Sequence, residues 1–187
     1  MALNKSLTCV NETNIHLTFG IYIDFPDVAI NREIPFLYVD VEKNSMQSVT
    51  FSVERKFGSV VANGPIGHKV PIIDPETTKY LTLDNKIPDK LTITNEDTKP
   101  LSVGLELGDK IAATTQDDLK PKQSIVFHLP EKYYVGIFSE IEIDWPNWSA
   151  VINAKIPLNF EGSAATVTAT LNDKDEIKLE LQGIIYA

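Results

Sequence analysis

Cysteine is almost missing from this chain. Cys9 is the single one among 187 residues, so no intramolecular disulfide can staple the fold and no thiolate cluster can hold zinc. Histidine is nearly as scarce: His16, His68 and His128 lie far apart, at no spacing that suits a shared metal ion. The carboxylates Asp24, Asp27, Asp117, Asp118, Asp173, Asp175 and Glu176 fall in expected turns, but without the glycine and terminal glutamate of a calcium loop they read as solvated turn residues. Basic charge is in deficit, with 17 Lys and Arg against 26 Asp and Glu and no basic run. The net charge of −9 disfavours nucleic acid and anionic lipid as general partners, because an acidic surface repels both.

Long apolar runs are missing too. None approaches the roughly 20 residues that a membrane-spanning helix needs. The opening Met1-Ala2-Leu3-Asn4-Lys5-Ser6 lacks a basic segment followed by an apolar core, so no signal peptide is read there. The expectation is synthesis in a reducing cytoplasm, with any release by a route that needs no signal peptide. The Asn-x-Ser/Thr triplets at Asn4, Asn11 and Asn147 are then chance matches. Catalytic signatures are also lacking. The glycine-dense Asn63-Gly64-Pro65-Ile66-Gly67-His68-Lys69 has neither the glycine spacing nor the Lys-Ser/Thr ending of a phosphate loop, and no Gly-x-Ser-x-Gly elbow occurs. The sequence therefore predicts a protein that is not an enzyme and carries no cofactor.

Helical periodicity is the last thing the chain lacks. Asp117-Asp118-Leu119-Lys120 is long enough for one turn, and Pro121 would stop it. What fills the chain instead is alternation. Ile141, Ile143 and Trp145 alternate with Glu140, Glu142 and Asp144; Ala165, Val167, Ala169 and Leu171 alternate with threonines. After the turn residues Asn172-Asp173-Lys174-Asp175, Ile177, Leu179 and Leu181 alternate with polar residues, the clearest hairpin of the chain. Further strands are expected at 5–10, 15–24, 34–42, 47–54, 57–61, 79–83, 89–95, 100–107, 123–129, 134–144 and 150–158. Eleven prolines punctuate them, which favours an all-β sandwich or barrel.

The strands repeat. Leu7-Thr8-Cys9-Val10-Asn11-Glu12 aligns with Leu91-Thr92-Ile93-Thr94-Asn95-Glu96, and Leu17-Thr18-Phe19-Gly20-Ile21 aligns with Leu101-Ser102-Val103-Gly104-Leu105, both at a spacing of 84. A further block, Gln47-Ser48-Val49-Thr50-Phe51, matches Gln123-Ser124-Ile125-Val126-Phe127 at a spacing of 76. Two copies of one β-unit are implied. With no long linker between them, the expectation is one domain over 1–187, a β-sandwich built from two related halves by internal duplication, with pseudo-repeats 5–84 and 89–187. Cys9 aligns with Ile93, so it reads as a core residue.

One segment stands out as a candidate binding site. Both tryptophans lie in Asp144-Trp145-Pro146-Asn147-Trp148-Ser149. Pro146 and Asn147 are turn formers that would leave the two rings flanking a loop. Trp145 continues the apolar face of Ile141 and Ile143 and is expected in the core. Trp148, beyond the turn, is free of that face; the candidate ligand-binding residues are Trp148, Asn147 and Trp145, which would offer a stacking surface and an indole donor.

Each copy opens on Leu-Thr-x-x-Asn-Glu and later enters a strand through Gln-Ser. Over Leu91 to Phe127 this ordering resembles the strand plan of aegerolysin-like β-sandwich proteins. The resemblance implies a non-enzymatic protein that recognises membrane lipid, sometimes as the targeting partner of a pore-former. No residue of a lipid-recognition motif can be carried over to this chain. The sequence thus points to a binding protein for a membrane lipid or glycan, a toxin or cytolysin component among such proteins. The alternative is a structural protein whose strands build a homo-oligomer.

Overall fold

The computed structural model describes residues 4–30, 34–158, 160 and 162–182. The chain is almost all β. In order, the strands are β1 (Asn4–Asn11), β2 (Leu17–Asp24), β3 (Leu37–Val41), β4 (Ser45–Ser52), β5 (Arg55–Asn63) and β6 (Val70–Ile73). After a four-residue helix, α1 (Pro75–Thr78), come β7 (Leu81–Asp84), β8 (Lys90–Asn95), β9 (Val103–Leu107), β10 (Lys110–Thr114) and β11 (Ser124–His128). The chain closes with β12 (Lys132–Asp144), β13 (Asn147–Leu158), β14 (Ala164–Leu171) and β15 (Ile177–Gln182).

Alternation located most of these elements. It missed β6 and β10, which are only four and five residues long. The stretch 34–42 is strand only from Leu37. The one helical turn for which 117–120 has room does not form, and Leu119 instead exchanges backbone bonds with Leu101 at 2.8 and 3.0 Å. The helix that does form starts at Asp74, whose carboxylate accepts from the backbone N–H of Glu76 and Thr77, with Pro75 at the first helical position.

The described residues form four sheets, with strand orders β15-β14-β1-β4, β13-β12-β2-β3, β10-β9-β5-β6 and β11-β8-β7. All neighbours are antiparallel except β1 and β14, which run parallel from Ser6↔Ala164 to Asn11↔Ala169. The aligned blocks take matching places. β1 pairs with β4 as β8 pairs with β11, and β2 pairs with β3 as β9 pairs with β10. Phe51 and Phe127 are both buried. Leu7 faces Val49 while Leu91 faces Phe127, so the second ladder is offset by two residues from the first. An even offset keeps every side chain on its own face.

The stretches 5–84 and 89–187 nonetheless exchange strands. β5 follows β4 in sequence but pairs with β9; β12 follows β11 but pairs with β2. The chain therefore crosses twice between the first two sheets and the other two, through Val53-Glu54 and through Leu129-Pro130-Glu131. At each exchanged ladder two glycines face one another, Gly20 with Gly136 and Gly104 with Gly58. A Cβ on Gly20 would lie 2.6 Å from the Phe138 ring, and one on Gly104 would lie 2.2 Å from Val60. The missing side chains make room for the large residues packed beside them.

One apolar core runs through all of this, with Leu7, Cys9, Phe19, Ile21, Ile93, Leu105, Phe127 and Val135 in a single buried cluster. Phe127 meets Phe25 edge-on at 5.1 Å and Phe57 at 5.2 Å, tying the fourth sheet to the chain after β2 and to β5. Each such side chain contributes about 1.5–3 kcal/mol by leaving water.

Candidate functional site

β12 and β13 form the longest hairpin, thirteen and twelve residues. Their register ends at Ile143↔Trp148 and Asp144↔Asn147. The turn is therefore Trp145-Pro146, and Asn147 is already strand, one position earlier than the turn expected from Pro146-Asn147. The tip is docked on the loop before β6: Trp145 donates its backbone N–H to Lys69 O at 3.0 Å, and Lys69 N–H donates to Asp144 Oδ1 at 3.1 Å.

This placement corrects the expectation for Trp145. It is half-buried and stands outside the core cluster, because the turn takes it off the face of Ile141 and Ile143 before the core is reached. Trp148 is half-buried as well, and Asn147 is exposed. The indole Nε1 atoms of both tryptophans are buried and have no acceptor. The Trp148 donor is thus turned away from solvent, and what it presents is ring surface.

That ring lines a groove of about 430 Å³ together with Phe36, Tyr38, Ile72, Glu106 and Asp109, with Lys110 also at the wall. The residues come from β3 and the residue before it, β6, β9, β10 and the turn between them, and the β12–β13 hairpin, which supplies Ile143 and Trp148 to the wall. Tyr38 is 53% exposed and Ile72 39%. The surface is apolar and aromatic with two carboxylates against one ammonium. Sequence reasoning had Trp148 but could not reach Tyr38 or Glu106, which no spacing connects to it. Of the three predicted site residues, Trp148 alone lines this groove; Trp145 and Asn147 sit beside it at the tip.

Elsewhere, among the described residues, no group of three His, Cys, Asp or Glu side chains is placed to hold a metal ion. His128 Nδ1 lies 3.0 Å from Asp27 at the surface. Cys9 is fully buried, and burial pushes its thiol up to about 12. No described helix is long and apolar enough to cross a membrane.

No protein-family model matches the chain. No curated protein matches it. Among solved structures it is similar to the crystal structure of the Pseudomonas aeruginosa CupB2 chaperone, at 11% identity over 80% of this chain and 91% of that chain, with a TM-score of 0.21. A superposition that poor carries no argument about fold or function.

Proposed function

We propose that the protein is a non-enzymatic binding protein that takes a neutral glycan in the groove beside Trp148. The observation behind this reading is the composition of the groove: indole and phenol surfaces from Trp148 and Tyr38 next to the carboxylates of Glu106 and Asp109. Sugar rings stack their C–H faces on aromatic rings, and their hydroxyls donate to carboxylates. A lipid with an anionic head group suits the groove less, since it would meet two carboxylates in a protein of net charge −9. The volume of about 430 Å³ is in the range of small-molecule sites, about 300–1,000 Å³.

The test is a screen of neutral oligosaccharides and of vesicles with anionic and zwitterionic head groups, repeated on Trp148→Ala. The expected result is binding to an oligosaccharide and not to anionic vesicles. The variant should lose about 1 kcal/mol or more of affinity, roughly fivefold, with its melting temperature nearly unchanged. If Trp148→Ala binds normally, or loses the roughly 3–5 kcal/mol of stability that deletion of a core tryptophan costs, the ring is structural.

The self-assembly reading draws on one feature, the twelve-residue β13 at the end of its sheet. Its outer faces carry Val151 at 46% exposure, and a long edge strand is a template for pairing with another chain. Light scattering across a concentration series separates the two readings: a stable dimer that Val151→Lys dissociates would favour assembly.

A further inference from the structure

A second cavity lies at the place where the two crossing segments meet. It measures about 410 Å³, and its walls include Lys5, Arg55, Lys132, Tyr133, Leu158 and Phe160. Glu131 also borders it, and its side chain is fully buried. That carboxylate is already satisfied: Arg55 Nε donates to its Oε2 at 2.6 Å and the Tyr133 hydroxyl donates to its Oε1 at 2.5 Å. Burial and the Glu131 charge together push the Tyr133 phenol up, so it stays a donor at any physiological pH.

Among the described residues three cations, Lys5, Arg55 and Lys132, border the cavity against the one carboxylate of Glu131, so its charge is positive in a protein whose net charge is −9. Arg55 engages Glu131 through Nε, and its side chain is 36% exposed, which leaves its terminal amino groups as donors. Lys5 Nζ donates to Gly162 O at 2.5 Å and Phe160 O at 3.5 Å, and lies 5.3 Å from the centre of the Phe160 ring. Carbonyls and a ring orient an ammonium without cancelling its charge. Apart from Lys132 the other walls are apolar or aromatic, with Tyr133 and Phe160 edge-to-face at 5.7 Å.

We infer that this cavity binds a small organic carboxylate with an aromatic or branched apolar body. The carboxylate sits between Lys5 and Arg55, and the body lies against Phe160 and Leu158. Inorganic phosphate fits worse, because apolar walls would strip its hydration without replacing it. A neutral apolar molecule would leave these cations unused. The site shares no residue with the Trp148 groove, so the inference stands apart from the glycan reading.

The experiment is titration calorimetry on the full chain with phenylpropionate, the matched alcohol phenylpropanol, and inorganic phosphate, followed by Lys5→Gln. One equivalent of phenylpropionate should bind saturably, about tenfold or more tighter than either the alcohol or phosphate. Lys5→Gln should weaken the acid about fivefold or more and barely move the alcohol. Equal binding of the alcohol would make the cavity merely apolar and overturn the inference; equal or tighter phosphate would reduce it to a cation patch and do the same. Absence of saturable phenylpropionate binding, or acid binding that Lys5→Gln leaves untouched, also defeats it. The acid-against-alcohol comparison needs no variant, so a poorly folding Lys5→Gln does not blunt the test.

Discussion

Two buried asparagines do the same work in different parts of the chain. Asn11 donates through Nδ2 to the carbonyls of Ile15 and Val41 and accepts the Thr13 N–H on Oδ1, at 2.8, 3.0 and 2.9 Å. Asn95 donates to Lys99 and Leu119 and accepts from Asp97 N–H, at 2.8, 2.7 and 2.8 Å. Each closes the turn after its strand and pins a distant segment to it. Replacing either by Leu removes donor and acceptor together and leaves buried backbone groups unpaired, each costing about 1–3 kcal/mol. Asn11→Leu and Asn95→Leu should each lower the urea-derived unfolding free energy by about 3 kcal/mol. A loss near zero for either would mean that water serves those carbonyls as well. Cys9 gives a second prediction at this scale. Its thiol is raised from 9.0 to about 12 in the fold, so the unfolded chain releases a proton that the native protein keeps. Its stabilising contribution is whole below pH 9.0 and is lost as the pH climbs toward 12, by up to about 1.4 kcal/mol per pH unit. Wild type should therefore lose stability across that window faster than Cys9→Ala, and the native thiol should resist alkylation at neutral pH.

At the scale of the element, the exchanged ladders depend on paired glycines. Gly104 faces Gly58, and Val60 fills the space where a Gly104 side chain would go. Because β9 is central in its sheet, between β10 and β5, it cannot retreat from that contact. Gly104→Ala should cost about 1–3 kcal/mol by overpacking, and Val60→Ala added to it should restore part of the loss. A double variant no better than the sum of the singles would show that the clash is elsewhere. The β14–β15 hairpin, in contrast, is held locally: Asn172 Oδ1 accepts from Lys174 and Glu176 N–H at 2.8 and 2.9 Å, so its turn is written in adjacent residues.

The whole molecule is decided by where the chain crosses. β5 belongs to the ladder of β9 and β12 to that of β2, so each of the stretches 5–84 and 89–187 leaves a central ladder open unless the other supplies it. Fragments 1–84 and 89–187 should each be unfolded when made alone, with a poorly dispersed amide spectrum, and should recover the native spectrum when mixed or co-expressed. A fragment that folds alone with dispersed amides would show that the exchange is dispensable. The two crossing segments are joined where Arg55 meets the buried Glu131, which is also where the cationic cavity opens.

The sequence by itself determined the all-β class, the inward and outward parity of the strands, the β14–β15 hairpin and the matching places of Asn11 with Asn95 and Phe51 with Phe127. All of these follow from period-two alternation and from turn residues that act within a few positions, so a linear reading reaches them. It also brought out Trp148, since two tryptophans around a proline are visible without a fold. Tertiary structure alone decided that β5 and β12 change sheets, that Trp145 leaves the core at the tip of its hairpin, and that Tyr38 and Glu106 share a groove with Trp148. A strand's alternation says which face is buried and is silent on which strand lies beside it. Backbone hydrogen bonds are the same for any partner, and the choice is made by packing among residues far apart in the chain, such as Gly104 against Val60.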